Sequence, residues 1–178
     1  MPSCRDAMGR QALTILIVGL AGAGALTAQA AAPRPTCDAA EYRQLDFWVG
    51  DWDVTTHGQP AGKNLVTREE GGCLVHEHWT GAGGDTGQSF NFYDRVDRKW
   101  HQVWVSNTGN VLDLAGTYVD GTLTYHGRRR RPDGRMIEHR LSFHANPDGT
   151  VRQLWETSAD AGATWKESFD GLYHKRRD

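Results

Sequence analysis

The sequence predicts an all-β protein that forms a single antiparallel up-and-down β-barrel of about ten strands. Turn signals of the Asp-Gly, Asn-rich and Pro-x-Gly kinds recur along the chain, and the short runs between them are rich in Val, Thr, Trp, Tyr and Phe. Short strands joined by tight turns are typical of antiparallel sandwiches and barrels. We favour a barrel because an open sheet of this many strands would expose two edges, and a sandwich needs longer crossover connections.

The turn signals divide the chain beyond its first 48 residues into ten expected strands. Segment 38–48, which precedes them, is expected to form one short helical turn. The expected strands lie at 49–57, 63–69, 73–80, 88–94, 100–106, 111–119, 122–130, 135–144, 151–158 and 165–175.

Residues 1–30 have the layout of a secretory signal peptide. Arg5 and Arg10 provide a basic start, segment 12–25 is apolar, and residues 28–30 read Ala-Gln-Ala, a small-x-small cleavage pattern. A retained membrane anchor is the alternative, but Gly, Gln and Thr dilute the end of the apolar stretch and no basic flank follows it. We therefore expect cleavage after residue 30 and a periplasmic or secreted mature protein that is not held in a membrane.

The mature chain is expected to contain one domain. A leader at 31–47 precedes a barrel domain at 48–178, which is long enough for one core and too short for two ordinary ones. The whole chain has a net charge of −2, and loss of the signal peptide makes the charge slightly more negative. This balance gives no electrostatic reason to expect a nucleic-acid partner.

Two cysteines remain after the signal peptide is removed. Cys37 lies in the leader and Cys73 at the start of an expected strand. An even pair in an oxidising compartment favours a disulfide bond. The alternative is two reduced thiols, with Cys73 buried as a small apolar residue.

A polar residue followed two positions later by an aromatic residue occurs on four of the expected strands. Residues two apart on a strand share one face, so each pair gives the same side a hydrogen-bonding group and a flat apolar surface. We interpret these faces, together with Trp52 on the first strand, as the lining of a ligand-binding lumen; ordinary cross-strand packing is the alternative. The pairs are Glu77 and Trp79, Asn91 and Tyr93, Gln102 and Trp104, and Gln153 and Trp155.

This interpretation has a difficulty on the fourth strand. If Asn91 faces inward, Phe90 and Phe92 must face outward, where they would be exposed unless the leader covers them. The inward face of that strand therefore stays open at this point.

His76 and His78 share one face of a strand at a spacing that can chelate a transition metal. A third and usually a fourth ligand are required, and no other histidine lies at a diagnostic spacing. These two histidines would face outward if Glu77 faces inward. They remain weak metal candidates, and no metal or other cofactor is predicted.

Two further motifs are interpreted as structural. Segment 158–165 matches the Asp-box pattern S-x-D-x-G-x-T-W, a hairpin device that occurs here once, whereas a propeller would repeat it. Segment 128–131 is a run of four arginines before a turn, which favours a solvated hairpin tip over a surface for nucleic acid or anionic lipid.

The opening and closing strands carry a resemblance to a known group. Gly50-Asp51-Trp52, within 45–54, has the Gly-x-Trp form of the first strand of lipocalins and their calycin relatives, and 169–173 reads Phe-Asp-Gly-Leu-Tyr. The chain from about Tyr42 to Tyr173 resembles a group of exported bacterial proteins of unknown function with a lipocalin-like, calycin-type fold. The resemblance implies a fold and no catalytic residues. Because related barrels can hold haem through a single histidine, it also makes His174 a candidate haem ligand.

The sequence favours a binding protein over an enzyme. Nucleophile elbows, phosphate loops and dinucleotide fingerprints are absent from it. We expect an exported barrel that holds a small, partly apolar molecule in its lumen. The alternatives are an enzyme that uses the same cavity with Glu77 as acid or base, and a haem or metal protein. The ligand and the oligomeric state are left open.

Overall fold

The computed structural model describes residues 36–176. Three short 3-10 helices at Ala40–Arg43, Asp46–Trp48 and Glu70–Gly72 accompany ten strands. The strands are β1 (Gly50–Thr56), β2 (Gln59–Glu69), β3 (Leu74–Gly81), β4 (Thr86–Asp94), β5 (Lys99–Ser106), β6 (Val111–Val119), β7 (Thr122–Arg130), β8 (Met136–Ala145), β9 (Val151–Ser158) and β10 (Lys166–Lys175).

The ten strands form a closed antiparallel barrel in which each strand pairs with its neighbours in sequence and β10 pairs with β1. The predicted all-β, up-and-down barrel is therefore confirmed. Closure pairs the first and last strands, so the sheet has no edge strand to protect. None of the helices within the described range is long and apolar enough to cross a bilayer.

The first hairpin differs from the expectation. We predicted a turn over 58–62, but the turn consists of His57 and Gly58, which both have positive φ, and β2 begins at Gln59. Positive φ at both central residues is typical of tight hairpin turns. A register shift between Val54 and Thr55 accommodates the extra residue on β2.

Alternation along each strand separates a lumen face from an outer face. On β4, Ser89 and Asn91 are buried, whereas Phe90 and Phe92 are 43% and 37% exposed. Asn91 therefore faces inward, which answers the question that the sequence left open, and the two phenylalanines lie uncovered on the outside. Phe90 stacks on the His76 ring and Phe92 on the His101 ring.

The segment before β1 closes one end of the barrel. Leu45 and Trp48 are fully buried in the core, and the Trp48 ring centre lies 4.3 Å from that of Phe143. Trp52 Nε1 donates a 2.8 Å hydrogen bond to the Trp48 carbonyl. Segment 38–48 thus forms the predicted helical turn as two 3-10 pieces and blocks the end that is opposite the cavity described below.

Two links hold this closing segment against the barrel. Cys37 forms a disulfide with Cys73, just before β3, as predicted, with Cα atoms 5.0 Å apart. Arg68, at the end of β2, forms an ion pair with Asp46 and donates a 3.0 Å hydrogen bond to the Tyr42 carbonyl. The predicted signal peptide lies outside the described residues.

The Asp-box segment forms the hairpin between β9 and β10, as predicted. Asp160 Oδ1 accepts hydrogen bonds from the Ser158 hydroxyl and the Thr164 amide, and Gly162 N donates to Ser158 Oγ. The hydrogen bonds from Ser158 and Thr164 hold the pKa of Asp160 down at about 2.

A candidate ligand-binding lumen

A cavity opens at the end of the barrel opposite the closing segment. Its deep part has a volume of about 200 Å³ and continues into a wider vestibule of about 1010 Å³. The two parts share several lining residues, among them Trp104, Leu112 and Trp155. The deep part is lined by Glu77, Trp79, Asp85, Gln102, Trp104, Leu112, Leu141, Gln153, Trp155, Ser168, Phe169 and Tyr173.

Aromatic rings form the walls, and glycines on adjacent strands make room for two of them. A Cβ atom on Gly87 would lie 2.2 Å from the Trp104 ring, and one on Gly62 would lie 2.7 Å from the Trp79 ring. Both separations are far below van der Waals contact, so these positions require glycine for the rings to lie where they do. The two indoles are thereby held along the barrel wall and leave the centre of the lumen open.

The floor of the cavity is a hydrogen-bonded polar layer centred on Glu77. Asn64 Nδ2 donates a 2.8 Å hydrogen bond to Glu77 Oε1, and the Ser89 hydroxyl donates a 2.5 Å bond to Oε2. The cross-strand register explains this meeting, because Glu77 on β3 lies opposite Ser89 on β4. Both carboxylate oxygens act as acceptors, which favours the ionised form.

Burial has the opposite effect to these hydrogen bonds on the pKa of Glu77. Loss of solvation raises the pKa of Glu77 from 4.5 to about 7, although the bonds from Ser89 and Asn64 and the charge of His76 act in the other direction. The buried carboxylate in turn adds to the effect of burial on Tyr125 and Tyr173, whose pKa values lie well above 10. The lumen floor therefore holds a carboxyl group that changes protonation near neutral pH.

The polar layer fixes the orientation of Gln102. Asn91 Nδ2 donates to the Val75 carbonyl, which can only accept, so Asn91 Oδ1 must be the acceptor on its other side. Gln102 Nε2 donates to that oxygen at 2.9 Å. Gln102 Oε1 therefore lines the cavity without a hydrogen-bond partner among residues 36–176.

Gln153 presents the opposite chemistry on the other side of the floor. Its Oε1 accepts a hydrogen bond from the Tyr173 hydroxyl, which accepts one from Asn64 Nδ2 at 3.4 Å. The Nε2 group of Gln153 is thus left as a donor at the cavity wall. The floor offers a bound molecule one amide acceptor, one amide donor and the Glu77 carboxyl group.

The wall of the vestibule carries positive charge. Arg129, Arg130 and Arg131 line it, so the arginine run predicted to be a solvated tip borders the lumen mouth. Arg129 donates to the Val111 carbonyl of β6, whose pairing with β7 begins only at Ala115. The mouth is therefore widened on this side by unpaired strand ends.

His139 lies deeper on the vestibule wall. Its Nδ1 accepts a 3.2 Å hydrogen bond from Trp155 Nε1, and its ring stacks on the Trp155 indole. Burial, with a smaller contribution from the charge of Arg129, lowers the pKa of His139. The imidazole is therefore held in its neutral form and keeps Trp155 in position.

The structure brings six of the nine predicted lumen residues together around the cavity. The other three face inward without lining it. Trp52 packs against Tyr173 near the closed end, Tyr93 packs against Tyr42, and Asn91 lies in the layer beneath Gln102. The six residues at the cavity are Glu77, Trp79, Gln102, Trp104, Gln153 and Trp155.

Several residues of the site were not predicted. Asn64 and Ser89, which bind the Glu77 carboxylate, precede Val66 and Asn91 by two positions and so lack the polar-x-aromatic signature. Alternation along β2 and β4 would have placed both on the inward face. Phe169 and Tyr173 lie on β10, where the same alternation identifies the inward face.

The histidines considered at the outset lie outside the lumen. His76 and His78 alternate with Glu77 and face outward, as predicted. His174 is exposed and lies 3.4 Å from the Thr55 hydroxyl on the outer face. His174 therefore does not reach the lumen, because its neighbour Tyr173 occupies the inward position.

Comparison of the sequence with protein-family models gives no match, and a search of curated proteins finds no significant similarity.

Proposed function

We propose that the protein binds a small, partly apolar molecule in the barrel lumen, with the polar end of that molecule at the floor and its flat part between the tryptophans. The observation that supports this most is the floor itself. Gln102 and Gln153 present unpaired amide groups to a cavity whose walls are Trp79, Trp104 and Trp155.

An apolar filling of the barrel would leave the amide groups of Gln102 and Gln153 without partners, at a cost of about 1–3 kcal/mol each. These groups therefore favour an open lumen in which water or a ligand satisfies them. Ligand sites combine mostly apolar walls with a few convergent polar groups and have volumes of about 300–1,000 Å³. The deep cavity and its vestibule, at about 200 and 1010 Å³, together slightly exceed this range, and their walls have this mixed composition.

The floor also defines the polar chemistry of the ligand. A ligand that accepts from Gln153 Nε2 and donates to Gln102 Oε1 needs both an acceptor and a donor at its polar end. The aromatic walls suit a flat ring or a conjugated chain. The arginines at the mouth would favour a negative group at the outer end of the molecule.

The test has two parts. First, native mass spectrometry of the protein isolated from its own host is expected to show a small molecule bound in a one-to-one complex. Second, the dye anilinonaphthalene sulfonate, which is flat, apolar and anionic, is titrated while tryptophan fluorescence is recorded. Dye in the lumen is expected to change the emission of the wall tryptophans, because indole emission responds to loss of nearby water.

Matched variants on β5 locate the dye. Gln102→Ala is expected to weaken dye binding by about 0.5–1.5 kcal/mol, and Trp104→Ala by more, because it removes a large apolar contact. Val105→Ala changes the outward residue next to Trp104 and is expected to leave binding unchanged. If Gln102→Ala and Trp104→Ala bind the dye as well as the wild-type protein and Val105→Ala do, the lumen proposal is wrong.

A second function uses the same cavity, and the pKa of about 7 at Glu77 favours it. A carboxyl group that titrates near neutral pH can take and return a proton, which makes it a candidate general acid or base. In an enzyme of this kind, Glu77→Gln would abolish turnover and retain substrate binding. In a simple binding protein, the same variant would change only affinity and its dependence on pH.

We also propose that the protein is exported. The Cys37–Cys73 disulfide supports this, because such bonds persist in oxidising compartments and are rare in the cytosol. Cell fractionation followed by N-terminal sequencing is expected to find a mature chain that starts near residue 31. A chain that retains residues 1–30 in the cytosol would contradict the proposal.

A further inference from the structure

A second cluster of chemically active side chains lies on the outer wall of the barrel, away from the lumen. Register explains how it forms. His76 and His78 alternate with inward-facing Glu77 on β3, and His76 lies opposite Thr67 on β2. Glu69, two residues after Thr67, shares the outer face with it and with the histidines.

The three functional groups converge on one point. His76 Nδ1 lies 3.2 Å from Glu69 Oε1 and 3.2 Å from His78 Nε2. The ligand atoms of all three residues lie within 4.8 Å of one another. In a tetrahedral zinc site with bonds of about 2.0–2.1 Å, neighbouring ligand atoms lie about 3.3 Å apart. Two of the three separations therefore match those of donors around one small metal ion, and the third, between Glu69 and His78, lies within 4.8 Å.

Neighbouring residues hold the donors in orientation. His76 Nε2 lies 2.9 Å from Gln88 Oε1, so the tautomer that donates its Nε2 proton to this oxygen has its lone pair on Nδ1, towards Glu69 and His78. The Thr67 hydroxyl donates a 2.6 Å hydrogen bond to Glu69 Oε1. Partners of this kind fix the tautomer and ring orientation of metal-binding histidines.

The Phe90 ring packs against the cluster from β4. It stacks on His76 with ring centres 4.6 Å apart, and His76 is only 9% exposed, although it is on the outer face. Glu69 and His78 are more accessible, with the Glu69 side chain 41% exposed. A metal ion at this point would have one buried ligand, two accessible ligands and a coordination position directed to solvent.

We propose that Glu69, His76 and His78 bind one divalent transition-metal ion of the Zn²⁺ type, with water in the remaining position. Two imidazoles and one carboxylate are a donor set that such ions accept, and three protein ligands leave an open coordination position. The site is independent of the lumen proposal, because the three side chains lie on the opposite face of the sheet from the cavity.

A comparable group at the turn between β4 and β5 does not support the same inference. Asp94, Asp97 and His101 also lie within reach of one another. However, Asp94 accepts a hydrogen bond from the Val96 amide, and Asp97 accepts one from the Lys99 amide and contacts His101. The hydrogen bonds within the turn explain the positions of these two carboxylates, so the cluster does not point to a metal ion.

The experiment is a zinc titration of the exported, disulfide-bonded protein without an affinity tag that contains histidine. Competition with a chromophoric chelator is expected to give one Zn²⁺ per chain, and binding should release protons and raise the unfolding temperature. Co²⁺ in place of Zn²⁺ is expected to give the visible absorption of a four-coordinate nitrogen and oxygen site.

Variants separate this site from adventitious binding. His78→Ala and Glu69→Gln, at accessible positions, are each expected to weaken Zn²⁺ binding by roughly 100-fold or more, and Gln88→Ala by about 10–100-fold. His126→Ala, at an exposed histidine on β7, is expected to bind Zn²⁺ as the wild type does. Circular dichroism confirms that each variant retains the barrel.

Two results would overturn the proposal. One is a wild-type protein that binds Zn²⁺ no more tightly than His78→Ala does. The other is loss of binding in His101→Ala with full binding in His78→Ala, which would assign the metal to the turn between β4 and β5.

Discussion

Asn64 on β2 donates a 2.8 Å hydrogen bond to Glu77 on β3, and this contact ties the one fully buried carboxyl group of the lumen floor to the neighbouring strand. The other amide atom, Asn64 Oδ1, is buried without a hydrogen-bond partner in the described part of the chain. The orientation in which Asn64 Nδ2 donates to Glu77 and to the Tyr173 hydroxyl therefore leaves the amide oxygen without a donor.

The raised pKa of Glu77 predicts a specific dependence of stability on pH. The folded state holds its proton up to about pH 7 and the unfolded state only up to 4.5, so the folded state binds more protons between these values. The free energy of unfolding should therefore fall as pH rises through this window, by about 3 kcal/mol in all. Urea denaturation at pH 5 and pH 8, compared between wild type and Glu77→Gln, isolates this contribution. Identical pH dependence in the two proteins would contradict the prediction.

The close contact between Gly87 and Trp104 predicts that Gly87→Ala disturbs the cavity wall. The new methyl group would overlap the indole, so Trp104 must move, at a cost of about 1–3 kcal/mol in stability and with a change in tryptophan emission. Gly83→Ala is the matched control, because its nearest neighbour would lie 3.8 Å away. Thermal unfolding and fluorescence spectra of both variants test this, and equal behaviour of the two would place Trp104 elsewhere.

The disulfide is expected to contribute on the order of 3 kcal/mol, because it closes a loop between residues 36 apart in sequence. The double variant Cys37→Ser, Cys73→Ser should lose about this much free energy of unfolding in urea. Peptide mass spectrometry without reductant should show the bridged pair in the exported protein. Two thiols that react with an alkylating reagent in freshly exported protein would refute the bond.

Leu45 tests whether the closing segment is part of the core. Its side chain is completely buried, so Leu45→Ala should cost about 2–5 kcal/mol through lost burial and a cavity. Val96→Ala, at a turn residue that is 87% exposed, should change stability by less than about 0.5 kcal/mol. If the two variants unfold at the same urea concentration, the segment does not pack as the structure describes.

The strands and the inward residues could be predicted because each depends on a local pattern. Asp-Gly and similar turns delimit the strands, and the period of two assigns residues such as Gln102 and Trp104 to one face. The third donor of the outer cluster could not be found in this way. Glu69 meets His76 only through the register of β2 against β3, which depends on the turn at 70–72 and its positive φ values.

The packing of the closing segment also escaped sequence analysis. Two short 3-10 pieces have no periodicity that would reveal which side is buried, so Leu45 and Trp48 could not be assigned to the core in advance. Which polar groups bind one another on the lumen floor is equally a matter of cross-strand register. The sequence predicted that Glu77 faces inward but not that Asn64 and Ser89 would bind its carboxylate.

The closing segment gives the lumen the form of a cup whose base is sealed by Leu45 and Trp48. A molecule in such a cup must enter and leave by the same end, so its polar head would be the first part to enter and the last to leave. The outer end of a long ligand would remain near Arg129 at the mouth. Chemical handles for affinity capture of the natural ligand class should therefore be attached at the end of a probe molecule remote from its hydrogen-bonding group.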